Sequence, residues 1–297
     1  MRSNFTTLLV AISLCISVSF TDADYHSIST NYTSGMDLIG GFVLVQAKIN
    51  GVDGNYIIDT GAPGLVLNSR YFKGAKSSDL QARGLSKELK VELCQVRRFE
   101  WLHLKKRHVQ ALVIDLQNLE ERTDRMISGL IGYDLLKQCE LFIDYENQII
   151  QLFPSRKSPL NRLYENRFET RLDLSDHLPV VKVKVNGRRF HLGIDSGAES
   201  NIFRLQRSRK FKGQDVEAIG EHEVRGLDSE VQRVPVVRFS SASIQKESFD
   251  DLDFLLVDID PFSSNESRPV DGLLGYPFLK SGKVSIDYPR ARLRFWK

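Results

Sequence analysis

The chain contains one short stretch twice, and this duplication limits what the chain can fold into. Residues 56–62 read YIIDTGA and residues 192–198 read LGIDSGA. In both copies an apolar strand leads into Asp59 or Asp195, after which come a small hydroxyl residue, Gly and Ala. A carboxyl group at the end of a buried strand is costly unless hydrogen bonds hold it, so it requires an explanation. A single copy would be equally typical of an ordinary turn, since short motifs produce false positives.

The sequences around the two stretches repeat as well. Three further blocks occur in both halves in the same order: VQAKING (45–51) and VKVKVNG (181–187), SGLIGYDLLK (128–137) and DGLLGYPFLK (271–280), and FIDY (142–145) and SIDY (285–288). Asn50 and Asn186 precede the two aspartates by the same nine positions. Four matched blocks in one order indicate a duplicated domain.

These blocks resemble the motifs of the retropepsin-like aspartic peptidases. Asp-Thr/Ser-Gly-Ala is followed some tens of residues later by two apolar residues and Gly, and the Asn-Gly hairpin makes the chain most similar to the bacterial secreted tandem-repeat members. The resemblance covers nearly all of residues 40–153 and 177–297. In that family each unit supplies one catalytic Asp and two units must meet. The resemblance therefore implies that this chain carries both halves of one active site, as the two lobes of pepsin do.

A chain of 297 residues has room for two domains, in agreement with the repeat. Its segments are short and β-like, and no long helical periodicity appears. The predicted fold class is mainly β, with two tandem retropepsin-like β-barrel lobes in a pseudo-twofold, pepsin-like arrangement. The predicted domains are a signal peptide at 1–19, an N-terminal lobe at 20–153, a linker at 154–166 and a C-terminal lobe at 167–297.

Some local predictions are specific enough to compare with a structure. Residues 89–96 and 99–104 read as two separate strands, and residues 116–125 as a polar loop or short helix. The linker reads as irregular because it begins Pro-Ser-Arg-Lys-Ser-Pro. Residues 168–174 are predicted to be the first strand of the second copy.

The chemistry follows from bringing Asp59 and Asp195 together. Two carboxylates within hydrogen-bonding reach cannot both ionise easily, so the pair holds one proton and titrates as a unit. One carboxylate then acts as general base on a water molecule, and the other, protonated, hydrogen-bonds the scissile carbonyl. No covalent intermediate, metal or cofactor is needed, and none of the six histidines forms a metal pair at helical spacing.

The resemblance also assigns supporting roles around the two aspartates. It implies that Thr60 and Ser196 join the two active-site turns by hydrogen bonds to each other's backbone, and that Gly61 and Gly197 present amides to the carboxylates. The last residues of the motif are Ala62 and Ala198. Alanine cannot donate the hydroxyl hydrogen bond that Ser at this position gives a carboxylate in pepsin-like lobes. We therefore expect a less acidic pH optimum than that of pepsin.

The N-terminus predicts where the protein acts. Arg2 is followed by the apolar run LLVAISLCISV (8–18), and Ser17 and Ser19 suit a cleavage site. This pattern is typical of a secretory signal peptide, and no other run is long enough to cross a bilayer. We expect a secreted protein in the periplasm or at the cell surface, without stable membrane insertion.

The charge of the chain bears on its binding partners, and its cysteines on a possible disulfide. Without residues 1–19 the chain has 40 Lys and Arg against 38 Asp and Glu, because only Arg2 is lost. Such a balance does not favour nucleic acid. The resemblance implies a peptide or protein substrate and a monomer that forms an intramolecular pseudo-dimer. Cys94 and Cys139 remain, and in an oxidising compartment they could form a disulfide or stay free.

Two features leave other interpretations open. The candidate flaps at 84–96 and 220–231 are charged and poor in Gly, although substrate-covering hairpins of this fold usually have Gly at their tips. The protein could therefore be a peptide-binding module with weak or no catalysis. Alternatively, each lobe could pair with a lobe of another chain. The acidic stretch around residues 250–260 lacks a calcium-loop pattern and reads as a solvated edge.

Overall fold

The computed structural model describes residues 31–73, 76–83, 88–211, 215–225, 231–249, 252–258 and 269–297. The predicted signal peptide lies outside the described residues, as do the flap residues 84–87 and 226–230. Among the described residues no helix has the length and apolar character that a membrane span requires. The chain is mainly β-sheet, and its described helices have seven residues or fewer.

The described part of the first half contains strands and two short helices. The strands are β1 (Thr33–Gly35), β2 (Asp37–Ile39), β3 (Phe42–Ile49), β4 (Val52–Ile58), β5 (Leu65–Asn68), β6 (Lys76–Arg83), β7 (Glu88–Trp101), β8 (Leu104–Ile114), β9 (Gly129–Ile131), β10 (Cys139–Asp144) and β11 (Ile149–Pro154). The helices are α1 (Gln117–Thr123) and α2 (Tyr133–Leu136).

The second half repeats this pattern after a short helical connection. A 3₁₀ turn (Ser155–Lys157) and α3 (Leu160–Leu163) lead into β12 (Asn166–Arg171), β13 (Val180–Val185), β14 (Arg188–Ile194), β15 (Asn201–Arg204), α4 (Leu205–Ser208), β16 (Val216–Arg225), β17 (Val231–Phe239), β18 (Ala242–Ile244), β19 (Glu247–Ser248), β20 (Asp253–Val257), β21 (Gly272–Leu274), α5 (Tyr276–Leu279), β22 (Lys283–Asp287) and β23 (Arg292–Trp296).

Each lobe is built on one long sheet. The N-terminal sheet has the order β2-β3-β4-β9-β5-β8-β7-β6, and an additional pairing of β3 with β7 folds it back on itself. The C-terminal sheet has the order β16-β17-β20-β15-β21-β14-β13-β18-β19. In both, the strand before the aspartate pairs in parallel with the strand of the Gly-Leu block, β4 with β9 and β14 with β21.

Glycine is required where the Gly-Leu block crosses the strand after each active-site turn. A Cβ built on Gly129 would lie 2.1 Å from the carbonyl oxygen of Val66, and one on Gly272 would lie 2.1 Å from that of Ile202. No side chain fits at such a distance, so the backbones can approach only through glycine. This contact explains why both copies of the block contain Gly at that position.

A third sheet joins the two lobes. Its order is β1-β11-β10-β22-β23-β12, so a hairpin from each lobe meets its counterpart at the antiparallel pair β10–β22. Across this pair Glu140 is opposite Asp287. The buried Arg294 donates to Glu140 at 3.0 Å and to Asp287 at 3.3 Å, which satisfies two carboxylates that would be costly to bury alone. The shared sheet sets the orientation of the lobes.

One local prediction was wrong, and another was correct except for its bounds. Residues 89–96 and 99–104 are not separate strands, because β7 runs through Arg97 and Arg98 and its ladder to β8 continues across them. The strand predicted at 168–174 is present as β12, the first strand of the second half; it begins at Asn166, ends at Arg171 and pairs with β23 in the shared sheet. In the predicted linker, helix α3 places Leu160 in a buried cluster with Phe142 and Trp296.

Candidate active site

Asp59 and Asp195 occupy equivalent positions at the ends of β4 and β14. The Asp59 N–H donates to the carbonyl oxygen of Ile131, and the Asp195 N–H donates to that of Leu274, both at 3.0 Å. Each aspartate is thus fixed by the parallel neighbour of its own strand. The Leu-Ile-Gly block (130–132) and the Leu-Leu-Gly block (273–275) supply these acceptors.

The two turns cross so closely that each glycine lies against the other lobe's carboxyl group. A Cβ built on Gly61 would lie 2.8 Å from Asp195 Cγ, and one on Gly197 would lie 2.6 Å from Asp59 Cγ. Any side chain there would collide with the carboxyl group, so both positions require glycine. Both aspartates of one chain therefore lie at one site.

Thr60 and Ser196 join the turns through four hydrogen bonds between the lobes. The Thr60 hydroxyl donates to the Ile194 carbonyl at 2.8 Å and accepts from the Ser196 N–H at 3.0 Å. The Ser196 hydroxyl donates to the Ile58 carbonyl at 2.7 Å and accepts from the Thr60 N–H at 3.1 Å. Thr60 and Ser196 are buried, so these bonds are shielded from water.

The backbone amides after each aspartate favour its ionised form, but not equally. Asp59 Oδ1 accepts from the N–H groups of Gly61 and Ala62, both at 2.9 Å. Asp195 Oδ1 accepts from the Gly197 N–H at 2.8 Å, and the Gly61 N–H also favours its ionised form, to a smaller extent. Two short N–H bonds to one oxygen make Asp59 the better stabilised anion of the two.

Burial raises the pKa of both carboxyl groups. For Asp59 the increase is opposed by the hydrogen bonds from Gly61 and Ala62, by the bond with Asp195 and by the nearby His177 imidazole. For Asp195 burial and then the negative charge of Asp59 hold the pKa well above its usual range. The pair therefore keeps one proton to a higher pH than an isolated carboxyl group, and the pKa of Asp195 is the more strongly raised of the two.

The raised pKa of Asp195 predicts a pH-dependent cost to stability. A group whose pKa is higher in the folded state stabilises the fold fully below its unfolded pKa, and this stabilisation is lost as the pH rises through the folded pKa. Asp195→Asn removes that loss. We expect the free energy of unfolding of the variant, minus that of the wild type, to increase as the pH rises from about 4 to 7. The increase should be about 1.4 kcal/mol for each pH unit by which folding raises the pKa of Asp195.

Urea unfolding of both proteins across that pH range measures this difference. Asp53→Asn, which removes an exposed carboxylate paired with Lys48, is the matched control and should show no such trend. A constant difference between Asp195→Asn and the wild type would contradict the raised pKa.

Two further glycines and four tyrosines support the turns from behind. A Cβ on Gly132 or Gly275 would lie 2.4 Å from the carbonyl oxygen of Ala62 or Ala198, respectively. The tyrosine after each of these glycines packs edge to face on a tyrosine of the other lobe. The ring centroids of Tyr133 and Tyr288 are 5.7 Å apart, and those of Tyr276 and Tyr145 are 5.6 Å apart. These exchanged contacts tie each lobe to the back of the other.

A cavity of about 260 Å³ opens beside the two aspartates and is lined by both lobes. From the second candidate flap, His222, Glu223 and Val224 of β16 line it. Pattern reasoning missed Arg122 and Glu199, which also line it. Arg122 belongs to the segment read as a polar loop or short helix, and no sequence signal connects it to the site. Glu199 could have been noticed, since it directly follows the second motif.

A disulfide and a metal site are two further possibilities that the sequence raises. Cys94 on β7 and Cys139 on β10 are both free thiols, so they do not form the disulfide that the sequence left open. Within the described ranges, no three His, Cys, Asp or Glu side chains are grouped in a way that could hold a metal ion.

Comparison with known proteins agrees with this geometry. The sequence profile of the family described as aspartyl protease matches the chain twice, at residues 45–135 and 181–278. Each match contains one crossed turn and its Gly-Leu block. A search of curated proteins finds no match. Because the two matches together span more than half of the chain, this protein belongs to the aspartyl protease family as a tandem repeat of two retropepsin-like, β-barrel lobes.

Proposed function

We propose that this protein is a secreted aspartic endopeptidase that hydrolyses peptide bonds with a water molecule activated by Asp59 and Asp195. The observation that carries the proposal is the crossing of the two turns, which sets each glycine against the opposite carboxyl group. Membership in the aspartyl protease family supports the same chemistry. The signal peptide predicted at 1–19 supports secretion to the periplasm or cell surface.

The unequal surroundings of the two carboxyl groups support different roles for them in this proposal. Asp59 accepts two backbone N–H bonds and is the ionised general base. Asp195 keeps the proton, because burial and the charge of Asp59 raise its pKa. In this state the protonated Asp195 donates a hydrogen bond to the scissile carbonyl oxygen, which polarises the carbonyl carbon for attack.

The proton transfers balance without a covalent intermediate. Asp59 takes a proton from the attacking water while Asp195 gives its proton to the carbonyl oxygen, and a tetrahedral diol forms. On collapse, Asp59 passes its new proton to the amine that leaves, and Asp195 recovers a proton from a diol hydroxyl group. The enzyme returns to its starting state, and one water molecule has been consumed in hydrolysing the peptide bond.

The residues around the aspartates act as positioning residues in this mechanism. Thr60 and Ser196 hold the two turns at a fixed separation through their mutual hydrogen bonds. Gly61 and Gly197 allow the close approach, and Ala62 contributes a second N–H to Asp59. Ala198 lines the cavity next to Asp195. The substrate is a peptide or protein, and the working unit is a monomer because one chain supplies both carboxyl groups.

The pH–activity profile should lie above that of pepsin. Its acid limb reports ionisation of Asp59 and its alkaline limb reports loss of the proton on Asp195. The pKa of both groups is raised by burial, and neither Ala62 nor Ala198 offers a hydroxyl to the ionised form. We expect kcat/KM to peak at weakly acidic to near-neutral pH.

Measurement of kcat/KM from acidic to neutral pH, for the wild type and Ala198→Ser, tests this expectation. The new hydroxyl can donate to the Asp195 carboxylate, so the alkaline limb should move to lower pH. A wild-type profile that peaks near pepsin's acidic range, at about pH 2, would contradict the expectation.

The proposal itself is tested by incubating the purified protein with a diverse peptide library and identifying new termini by mass spectrometry. Cleavage at internal peptide bonds supports an endopeptidase. If the folded protein binds library peptides but cuts none between acidic and neutral pH, the endopeptidase proposal is wrong and the peptide-binding module replaces it.

A further inference from the structure

An ion pair spans the cavity beside the aspartates. Arg122, in the last turn of α1 in the N-terminal lobe, pairs with Glu199, which follows the active-site turn of the C-terminal lobe. Both side chains line the cavity together with Asp59 and Asp195. The pair therefore links the lobes where a substrate side chain would enter.

Further contacts fix the positions of both Arg122 and Glu199. The Arg122 guanidinium carbon lies 5.2 Å from the centroid of the Phe42 ring, an arrangement that favours a cation over the ring face. A Cβ built on Gly40 would lie 3.2 Å from Glu199 Oε1, so the carboxylate rests against a turn of the opposite lobe. The side chains of Arg122 and Glu199 are 26% and 29% exposed, so water screens the pair only partly.

The pair breaks the pseudo-twofold symmetry of the site. Glu199 is four residues after Asp195, and the residue four after Asp59 is Pro63, which carries no charge. The rest of the cavity wall is largely apolar; its side chains include Phe42, Ile57, Leu119, Leu130, Leu255 and Leu273. Glu223 also lines it, and its carboxylate pairs with the exposed Arg233.

We propose that the Arg122–Glu199 pair is a charge filter that admits uncharged side chains of the peptide substrate to this cavity and excludes acidic and basic ones. This inference rests on the proposed peptidase function and names its substrate class at one subsite. Each partner already neutralises the other. An incoming charge would have to give up its hydration or displace one partner of the pair, and either step is costly in a cavity with largely apolar walls.

The filter predicts opposite changes for the two single substitutions. Glu199→Gln leaves the Arg122 guanidinium available, so peptides with Asp or Glu at the affected position should improve. Arg122→Gln leaves the Glu199 carboxylate available, so peptides with Lys or Arg there should improve. In each case we expect kcat/KM relative to the Leu peptide to rise by about tenfold or more, which corresponds to about 1.4 kcal/mol. The reversed pair, Arg122→Glu with Glu199→Arg, should restore the preference for Leu.

The experiment is a positional scan in which each position of a cleaved peptide is Leu, Glu or Lys in turn. Glu165→Gln is the matched control, because it removes an exposed carboxylate paired with Lys297. If wild type cleaves and both single variants keep its charge preference, the filter is wrong while the peptidase function stands. If the wild type is folded and cleaves nothing, the peptidase function is wrong. The filter is then tested by the dissociation constants of the same peptides, which should show the same opposite changes in Glu199→Gln and Arg122→Gln.

Discussion

Asp59→Asn and Asp195→Asn are each expected to lower kcat/KM for peptide cleavage by about 10³-fold or more. Asparagine nearly matches aspartate in shape, so the amides of Gly61 and Gly197 keep an oxygen acceptor. It cannot exchange a proton as a carboxyl group does. Loss of Asp59 removes the base, and loss of Asp195 removes the acid. Since the two act as one unit, the double variant should be no less active than either single variant.

Cleavage of one peptide by the four proteins, at equal folded concentration, measures this effect. Asp53→Asn is the control for a change of one surface charge and should retain wild-type activity. If one of the two active-site variants keeps full activity, the lobes do not share a site. In that case each lobe would have to work with a lobe of another chain, and the sedimentation mass in solution would then exceed that of a monomer.

Thr60→Val is expected to lower the free energy of unfolding by roughly 2–6 kcal/mol. Valine fills nearly the same space but has no hydroxyl. The Ser196 N–H and the Ile194 carbonyl would both lose their partner in a buried position, and each unsatisfied buried group costs about 1–3 kcal/mol. Because these bonds join the lobes, activity should fall with stability.

Urea denaturation of Thr60→Val and Thr60→Ser separates the hydroxyl from side-chain packing. Serine keeps the donor and acceptor and loses only a methyl group, so it should cost about 1 kcal/mol. Equal destabilisation by the two substitutions would show that the methyl group, and not the hydrogen bonds to the other lobe, accounts for the effect.

Much of the architecture could be predicted from the sequence because the chain repeats itself. The nine-residue interval from Asn to Asp predicts a hairpin, and in the structure Asn50 and Asn186 have positive φ angles of 53° and 45°, as a two-residue Asn-Gly turn requires. The Gly-Leu blocks have glycine because strands cross there without space for a Cβ. Such local rules apply to both copies, so they identify two lobes and one aspartate in each.

Other features depend on contacts between distant residues and have no local pattern. The continuation of β7 through Arg97 and Arg98 depends on its ladder with β8, and the placement of β12 depends on β23 at the far end of the chain. Whether Cys94 and Cys139 pair is likewise a question of distance in the fold, and the structure leaves both free.

A duplicated β protein with Asp59 and Asp195 at matching turns could be predicted from the sequence alone, because strand periodicity, turn residues and glycine requirements are local properties. Three features are visible only in the folded chain: the turns cross, the pKa of Asp195 is the more strongly raised, and Arg122 meets Glu199 across the cavity. These facts depend on how the shared sheet orients the lobes. Burial and nearby charges shift the pKa of a carboxyl group, and an ion pair needs a partner within reach. Here the opposite lobe supplies them, so they arise only when the lobes meet.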